Sequence, residues 1–242
     1  MLRLGGQVIG FSDAIGTSAS KGETLSDSMK VIGSYADLIV LRHPSDGAAR
    51  LASLATSTPV INAGDGTNQH PTQTLLDLFT IKESQGKLKG LHVAFSGDLK
   101  YGRTVHSLAL ACAQFDMRLY FISPDSLSLP EETCHYLRKQ GIKFSFHQNI
   151  EDVIGKVDIF YMTRIQRERF DEVSYAKVKG LYVLKPSMLE KVKKNLKILH
   201  PLPRVDEIDP AIDTTPYAHY FTQAENGLYV RQAILGLTLG KV

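Results

Sequence analysis

At five places along the chain, basic or amide side chains follow a β-branched or aromatic run within a few residues. Arg42 and His43 follow Ile39-Val40-Leu41; Asn68, Gln69, His70 and Gln73 follow Val60-Ile61-Asn62; Lys100 and Arg103 follow the run that ends at Ser96. Arg164 and Gln166 follow Met162, and His200 to Arg204 follow Leu199. Carboxylates are scarce among them. Such a set suits an anionic substrate carrying phosphate or carboxylate groups, because a guanidinium fork matches the oxygen geometry of both.

Taken singly, each feature has a plainer reading. His70 beside Pro71 is a loop or capping histidine, and the run Asn62-Ala63-Gly64-Asp65-Gly66-Thr67-Asn68 is a flexible connection. Arg103 pairs with a surface acid; Arg164, Arg167 and Arg169 around Glu168 are a solvated helix start; His200-Pro201-Leu202-Pro203 is a rigid turn. The plain readings lose ground together, because all these residues fall at the same end of successive strands. Ligands of open parallel α/β sheets collect beyond that end.

The elements that place them alternate. Strands are predicted at residues 7–11, 37–41, 59–62, 91–96, 118–122, 143–147, 157–162, 182–184 and 197–199. Helical patterns lie between them at 23–35, 46–55, 72–85, 104–115, 131–140 and 167–178, with a last one near 227–239. Alternation of this kind predicts βαβ units and mostly parallel sheets, an α/β class. Ser20 with Glu23 has the spacing of a capping box, and Pro71 and Pro130 suit the first turns of the helices that follow. Nine strands are many for one small domain, and a polar stretch at 84–90 marks a domain boundary near residue 86. Residues 1–6 read as a last helical turn with a glycine stop. The lysines between Lys185 and Lys197 read as the wet face of a helix.

Composition bounds the alternatives. With 242 residues, 43% apolar and 22% charged, the chain is long enough for a sizeable core and is neither disordered nor a stapled mini-protein. A net charge of +3 from 28 basic and 25 acidic residues is too balanced for a nucleic-acid partner. There is no membrane-span pattern and no signal-peptide core at Met1, so a cytoplasmic protein is expected. Cys112 and Cys134 form no Cys-x-x-Cys pair and read as buried thiols. Gly97-Asp98-Leu99-Lys100-Tyr101-Gly102 fails the G-x-G-x-x-G spacing of a dinucleotide site. No G-x-S-x-G, H-E-x-x-H or P-loop string occurs.

Five strings resemble one family: RHP at Arg42 to Pro44, DGTNQHPTQTLLDL at Asp65 to Leu78, GDLKYGRTVHSL at Gly97 to Leu108, MTRIQRER at Met162 to Arg169 and HPLPRVDEI at His200 to Ile208. Together they resemble the aspartate carbamoyltransferase catalytic chain, over essentially the whole length. Within the transcarbamoylases, the ornithine enzymes carry a cysteine-containing HCLP turn where this chain has HPLPR.

The resemblance implies transfer of the carbamoyl group of carbamoyl phosphate to L-aspartate in pyrimidine synthesis, without metal or organic cofactor. It implies that Arg42 and His70 donate to the carbamoyl oxygen, with Arg42 also touching phosphate, and that Gln73 and the Leu202 carbonyl before Pro203 hold the carbamoyl nitrogen. Arg103 and Arg164 clamp the carboxylates of aspartate, with Gln166 at the same end. Ser18 and Lys21 reach into a neighbouring subunit's site, which implies a homotrimer with shared sites; regulatory subunits are further partners the family allows.

The implied fold is two doubly wound domains: residues 1–85 with a C-terminal helix 223–242 for carbamoyl phosphate, and 86–222 for aspartate. The family's Ser-Thr-Arg-Thr phosphate motif does not occur in the 242 residues. Its place would precede Met1, so the first domain is expected to be incomplete at its N-terminus and activity impaired. Two other readings stay open: a non-catalytic assembly partner of full-length catalytic chains, and a transcarbamoylase with another amine acceptor.

Overall fold

The computed structural model describes residues 1–12, 16–167, 171–172, 178 and 180–241. Its contacts divide the chain into two compact units, Met1–Thr72 with Leu228–Val242, and Gln73–Gly227. The division falls inside two helices, α3 (Pro71–Gln85) and α7 (Tyr220–Thr238), earlier in α3 than the polar stretch at 84–90. The reason is packing: Ile81 and Tyr220 are both fully buried in cores of the second unit.

In the first unit, helix α1 (Leu25–Gly33) precedes strand β1 (Ile39–His43), helix α2 (Ala48–Ala55) and strand β2 (Val60–Asp65). The strands pair in parallel, Ile39 opposite Val60 and Leu41 opposite Asn62, over a small core of Met29, Ile39 and Ala52. The predicted Ser20/Glu23 capping box does not form. Thr24 caps α1 instead, its hydroxyl oxygen accepting the Asp27 N–H, while Ser18–Lys21 is a short 3-10 helix capped by Thr17. Residues 7–11 are not a strand either: Val8, Ile9 and Phe11 are exposed and have no partner strand among the described residues. Alternation alone cannot make a strand without a neighbouring edge.

The second unit holds a five-stranded sheet in the order β5-β4-β3-β6-β7, parallel throughout. Its strands are β3 (His92–Ser96), β4 (Arg118–Ile122), β5 (Phe144–His147), β6 (Ile159–Met162) and β7 (Lys197–Leu199), with helices α4 (Arg103–Cys112), α5 (Glu131–Lys139) and α6 (Glu151–Ile154) between them. Side chains alternate between two cores. Val93, Phe95, Leu119, Phe121, Ile159 and Tyr161 face one side with α4 and α5. Ala94, Tyr120, Ile122, Phe160 and Met162 face the other with α6 and α7. Burial on both faces explains the near-continuous apolar runs. Cys112 and Cys134 are buried free thiols, and burial pushes both above the ordinary thiol range.

Several expectations need correction in this unit. Residues 182–184 make only a single bridge, Leu184 to Ile208, too short to be a strand. The lysines do not line a helix: Lys185 is the N-cap residue of a short 3-10 turn, Pro186–Leu189, the others follow that turn, and Lys193 pairs with Asp158 at 2.8 Å. Pro130 is the N-cap residue of α5, one position before the helix. The last helix begins at Tyr220, not near Gly227, because Gln223, Asn226 and Gly227 form its buried face. The predicted helix at 167–178 lies largely outside the described residues, as do Glu168 and Arg169.

Candidate active site

In the first unit, Arg42 lies where the β1 register against β2 shifts, between Leu41 and His43. An irregularity of this kind re-aims the side chain it contains, and Arg42 is exposed. The run from Asn62 to Asn68 is tied down. The Asp65 carboxylate is 2% exposed and accepts from the Gly47 N–H at 2.8 Å, Asn62 Nδ2 at 2.9 Å, Asn68 Nδ2 at 3.1 Å and the Gln69 N–H at 3.2 Å. Burial by itself would push this carboxyl up, but those donors hold it below the usual carboxylate range. Asp46 accepts the Thr67 N–H at 2.7 Å, and a Cβ on Gly66 would lie 1.8 Å from the same Asp46 oxygen, so only glycine fits there. The loops after β1 and β2 are therefore lashed together, with half-buried His70 directly ahead of α3. Ser18 and Lys21 stand exposed on their 3-10 helix.

In the second unit, the chain leaves β3 toward β4 on one side, while β6 lies on the other. The crevice at the carboxyl ends of β3 and β6 is the topological switch point. The backbone there is crowded: a Cβ on Gly97, with φ 114°, would lie 2.2 Å from the Thr163 carbonyl oxygen, and one on Gly102 would lie 2.4 Å from that of Asp98. Arg103 is the first residue of α4, and Arg164 and Gln166 occupy the loop after β6. All three are partly buried. Asp98 ties their loops together, its carboxylate accepting the Tyr101 N–H at 2.9 Å and the Gln166 N–H at 3.5 Å. Burial pushes the Asp98 carboxyl up, and these backbone donors only partly offset it.

The loop after β7 supplies the rest. Leu202 has φ 55° and is followed by a cis bond to Pro203. A φ of 55° is unusual for an L-residue and must be held from outside. The Leu202 N–H donates to His200 Nδ1 at 2.8 Å, His200 Nε2 meets Glu207 at 2.6 Å, and the other Glu207 oxygen accepts the N–H groups of Val205 and Asp206, both at 3.1 Å. Burial pushes the Glu207 carboxyl up, but His200 and the backbone donors leave it below the ordinary glutamate range. Arg204 pairs with Asp213 through both terminal nitrogens and lies over the Tyr220 ring. Gln73, on α3, donates from Nε2 to Asp77 at 2.9 Å.

The second unit thus carries Gln73, Arg103, Arg164, Gln166, Leu202 and Pro203, and the first carries Ser18, Lys21, Arg42 and His70. The basic and amide groups are held by acids that the sequence pattern does not single out, Asp65, Asp77, Asp98 and Glu207. All four lie inside the motif strings, close to the residues singled out; their burial could not be read from sequence.

Family models for the two halves of the aspartate/ornithine carbamoyltransferases match this chain: the carbamoyl-P binding domain over residues 1–83 and the Asp/Orn binding domain over 89–238. The aspartate carbamoyltransferase catalytic subunit of Chromobacterium violaceum is 58% identical over 239 residues, which are 99% of this chain and 79% of that one. The catalytic subunit of M. jannaschii aspartate transcarbamoylase superposes with a TM-score of 0.91 at 52% identity, covering 99% of this chain and 78% of that chain. Aspartate transcarbamoylase from Trypanosoma cruzi, in complex with carbamoyl aspartate and phosphate, gives 0.86 at 36% identity, covering 97% of this chain and 75% of that one. With both family models matched and with these relatives, the chain belongs to the aspartate carbamoyltransferase catalytic subunit family.

Proposed function

We propose that the chain catalyses transfer of the carbamoyl group of carbamoyl phosphate to the amino group of L-aspartate, giving N-carbamoyl-L-aspartate and phosphate. The observation that carries this reading is the pair Arg103 and Arg164 at the switch-point crevice, on loops joined through Asp98. Two guanidinium groups there answer the two carboxylates of aspartate. The amine attacks the carbamoyl carbon, and negative charge grows on the carbamoyl oxygen, where Arg42 and His70 donate. The carbon–oxygen bond to phosphate then breaks, and the departing phosphate takes the amine proton. Gln73 and the Leu202 carbonyl, with Pro203 fixing the turn, accept from the carbamoyl nitrogen. Gln166 supports the aspartate end. Catalysis here is positioning and charge stabilisation, with no group on the protein forming a covalent bond.

In this reading residues 1–85 with 223–242 serve carbamoyl phosphate and 86–222 serve aspartate. Exposed Ser18 and Lys21 act in a neighbouring subunit of a cytoplasmic homotrimer. The 242 residues contain no Ser-Thr-Arg-Thr string to cradle phosphate. A polypeptide of these residues alone is therefore expected to bind the aspartate portion of its ligands and to turn over poorly. Calorimetry with N-carbamoyl-L-aspartate, beside an assay of its formation, tests both parts. Absence of binding would overturn the function; near-normal turnover would overturn the impairment.

A further inference from the structure

Asp77 lies on α3, is fully buried and is surrounded by side-chain donors. Oδ1 accepts from Gln73 Nε2 at 2.9 Å and from Gln223 Nε2 at 2.6 Å, and Oδ2 accepts from the Tyr161 hydroxyl at 2.9 Å. Three donors are the partner set of a carboxylate, which offers lone pairs and no proton. Gln223 passes the order on: its Oε1 accepts the His200 N–H at 2.8 Å. The His200 ring continues it, because Nδ1 accepts the Leu202 N–H at 2.8 Å, which puts the ring proton on Nε2, facing Glu207. All of these residues belong to the second unit.

The polarity of this chain of bonds has a consequence at both ends. A glutamine amide can turn either its oxygen or its nitrogen toward a neighbour, and an acceptor-only partner removes the choice. Asp77 therefore holds Gln73 Nε2 and turns Oε1 away. At the other end, the Leu202 N–H is committed to His200, which anchors Leu202 at its φ of 55° and so sets the direction of the following peptide unit, the one that carries the Leu202 carbonyl. We infer that Asp77 and Gln223 are positioning residues that orient Gln73 and Leu202 as two acceptors for one –NH₂ group, and so make the site selective for a carbamoyl over an acetyl group. This rests on the carbamoyl-transfer reading. The physical reason is asymmetric: a buried acceptor facing a methyl loses its hydrogen bond and stays desolvated.

The test compares binding of N-carbamoyl-L-aspartate with that of N-acetyl-L-aspartate, which replaces the –NH₂ by methyl, to the 242-residue chain by calorimetry. The unaltered chain should prefer the carbamoyl ligand at least tenfold. In Asp77→Asn the acceptor-only anchor is gone, and the preference should fall to within about threefold while affinity for the acetyl ligand changes less than twofold. A merely structural role would weaken both ligands together, and a folded Asp77→Asn chain that keeps the preference overturns the inference. Gln223→Met, which keeps length and apolar packing, provides the same readout should Asp77→Asn fail to fold, with the same loss of preference expected. If the unaltered chain binds neither ligand, the carbamoyl-transfer reading fails; if it binds both equally, only the selectivity does.

Discussion

Arg164 is where the proposed chemistry is most exposed to test. A guanidinium fork on a carboxylate makes charge-assisted bonds of roughly 1.5–3 kcal/mol each, and no other side chain matches its geometry. Arg164→Ala should therefore weaken binding of N-carbamoyl-L-aspartate by about a hundredfold, roughly 2.7 kcal/mol, and change phosphate affinity less than twofold. Arg164→Lys should recover only part of the loss, because an ammonium cannot bridge two oxygens. Calorimetric titrations with each ligand separate these outcomes, and equal loss for both would remove Arg164 from the aspartate end. The residues proposed to meet substrate stand out in the sequence because Arg, His and Gln after a strand are conspicuous. Their holders do not: Asp65 and Asp77 sit in the same string as His70 and Gln73, and only the fold buries their carboxylates and turns donors onto them.

At the scale of elements, the loop after β7 is the part whose shape depends on charge. Glu207 is 5% exposed and is held by His200 and the Val205 and Asp206 N–H groups around a Leu202 backbone with φ 55°. Its carboxyl lies below the ordinary value, against the pull of burial, so it binds protons more weakly folded than unfolded. Its contribution is then complete above the unfolded value of about 4.3 and is lost as pH falls through the lower folded value. Glu207→Gln should destabilise the protein by about 1–3 kcal/mol at neutral pH, since an amide nitrogen would face backbone donors. It should also flatten the acid limb of a thermal-denaturation series between about pH 5 and 3. An acid limb as steep as in the unaltered chain would show that another carboxyl carries it. Strands β4 and β7 were legible to the residue, because parallel strands buried on both faces leave short unmistakable apolar runs. The strand expected at 7–11 carries the same signal, and what it lacks among the described residues is a neighbour.

For the whole molecule, the two units differ in how much holds them together. The first rests on two paired strands and a core whose fully enclosed members are Met29, Ile39 and Ala52, with Val31, Tyr35, Val40, Leu51 and Leu54 exposed. The second has five strands covered on both faces, with Phe95, Phe121, Phe160 and Tyr161 fully buried. Two strands alone are marginal, and buried apolar area is the main favourable term in folding, so opening should begin in the first unit. Native-state hydrogen exchange followed by mass spectrometry should find amides of β3, β4 and β6 exchanging at least a hundredfold more slowly than those of β1 and β2, about 2.7 kcal/mol in opening free energy. Raising the protein concentration sharpens the point. If the chain forms the homotrimer proposed for it through the exposed apolar residues of the first unit, protection of β1 and β2 should rise with concentration while that of β3 stays level. Protection in β1 equal to that in β3 at every concentration would mean that the chain opens as one cooperative body, and that its small first core is stabilised by something other than its own burial.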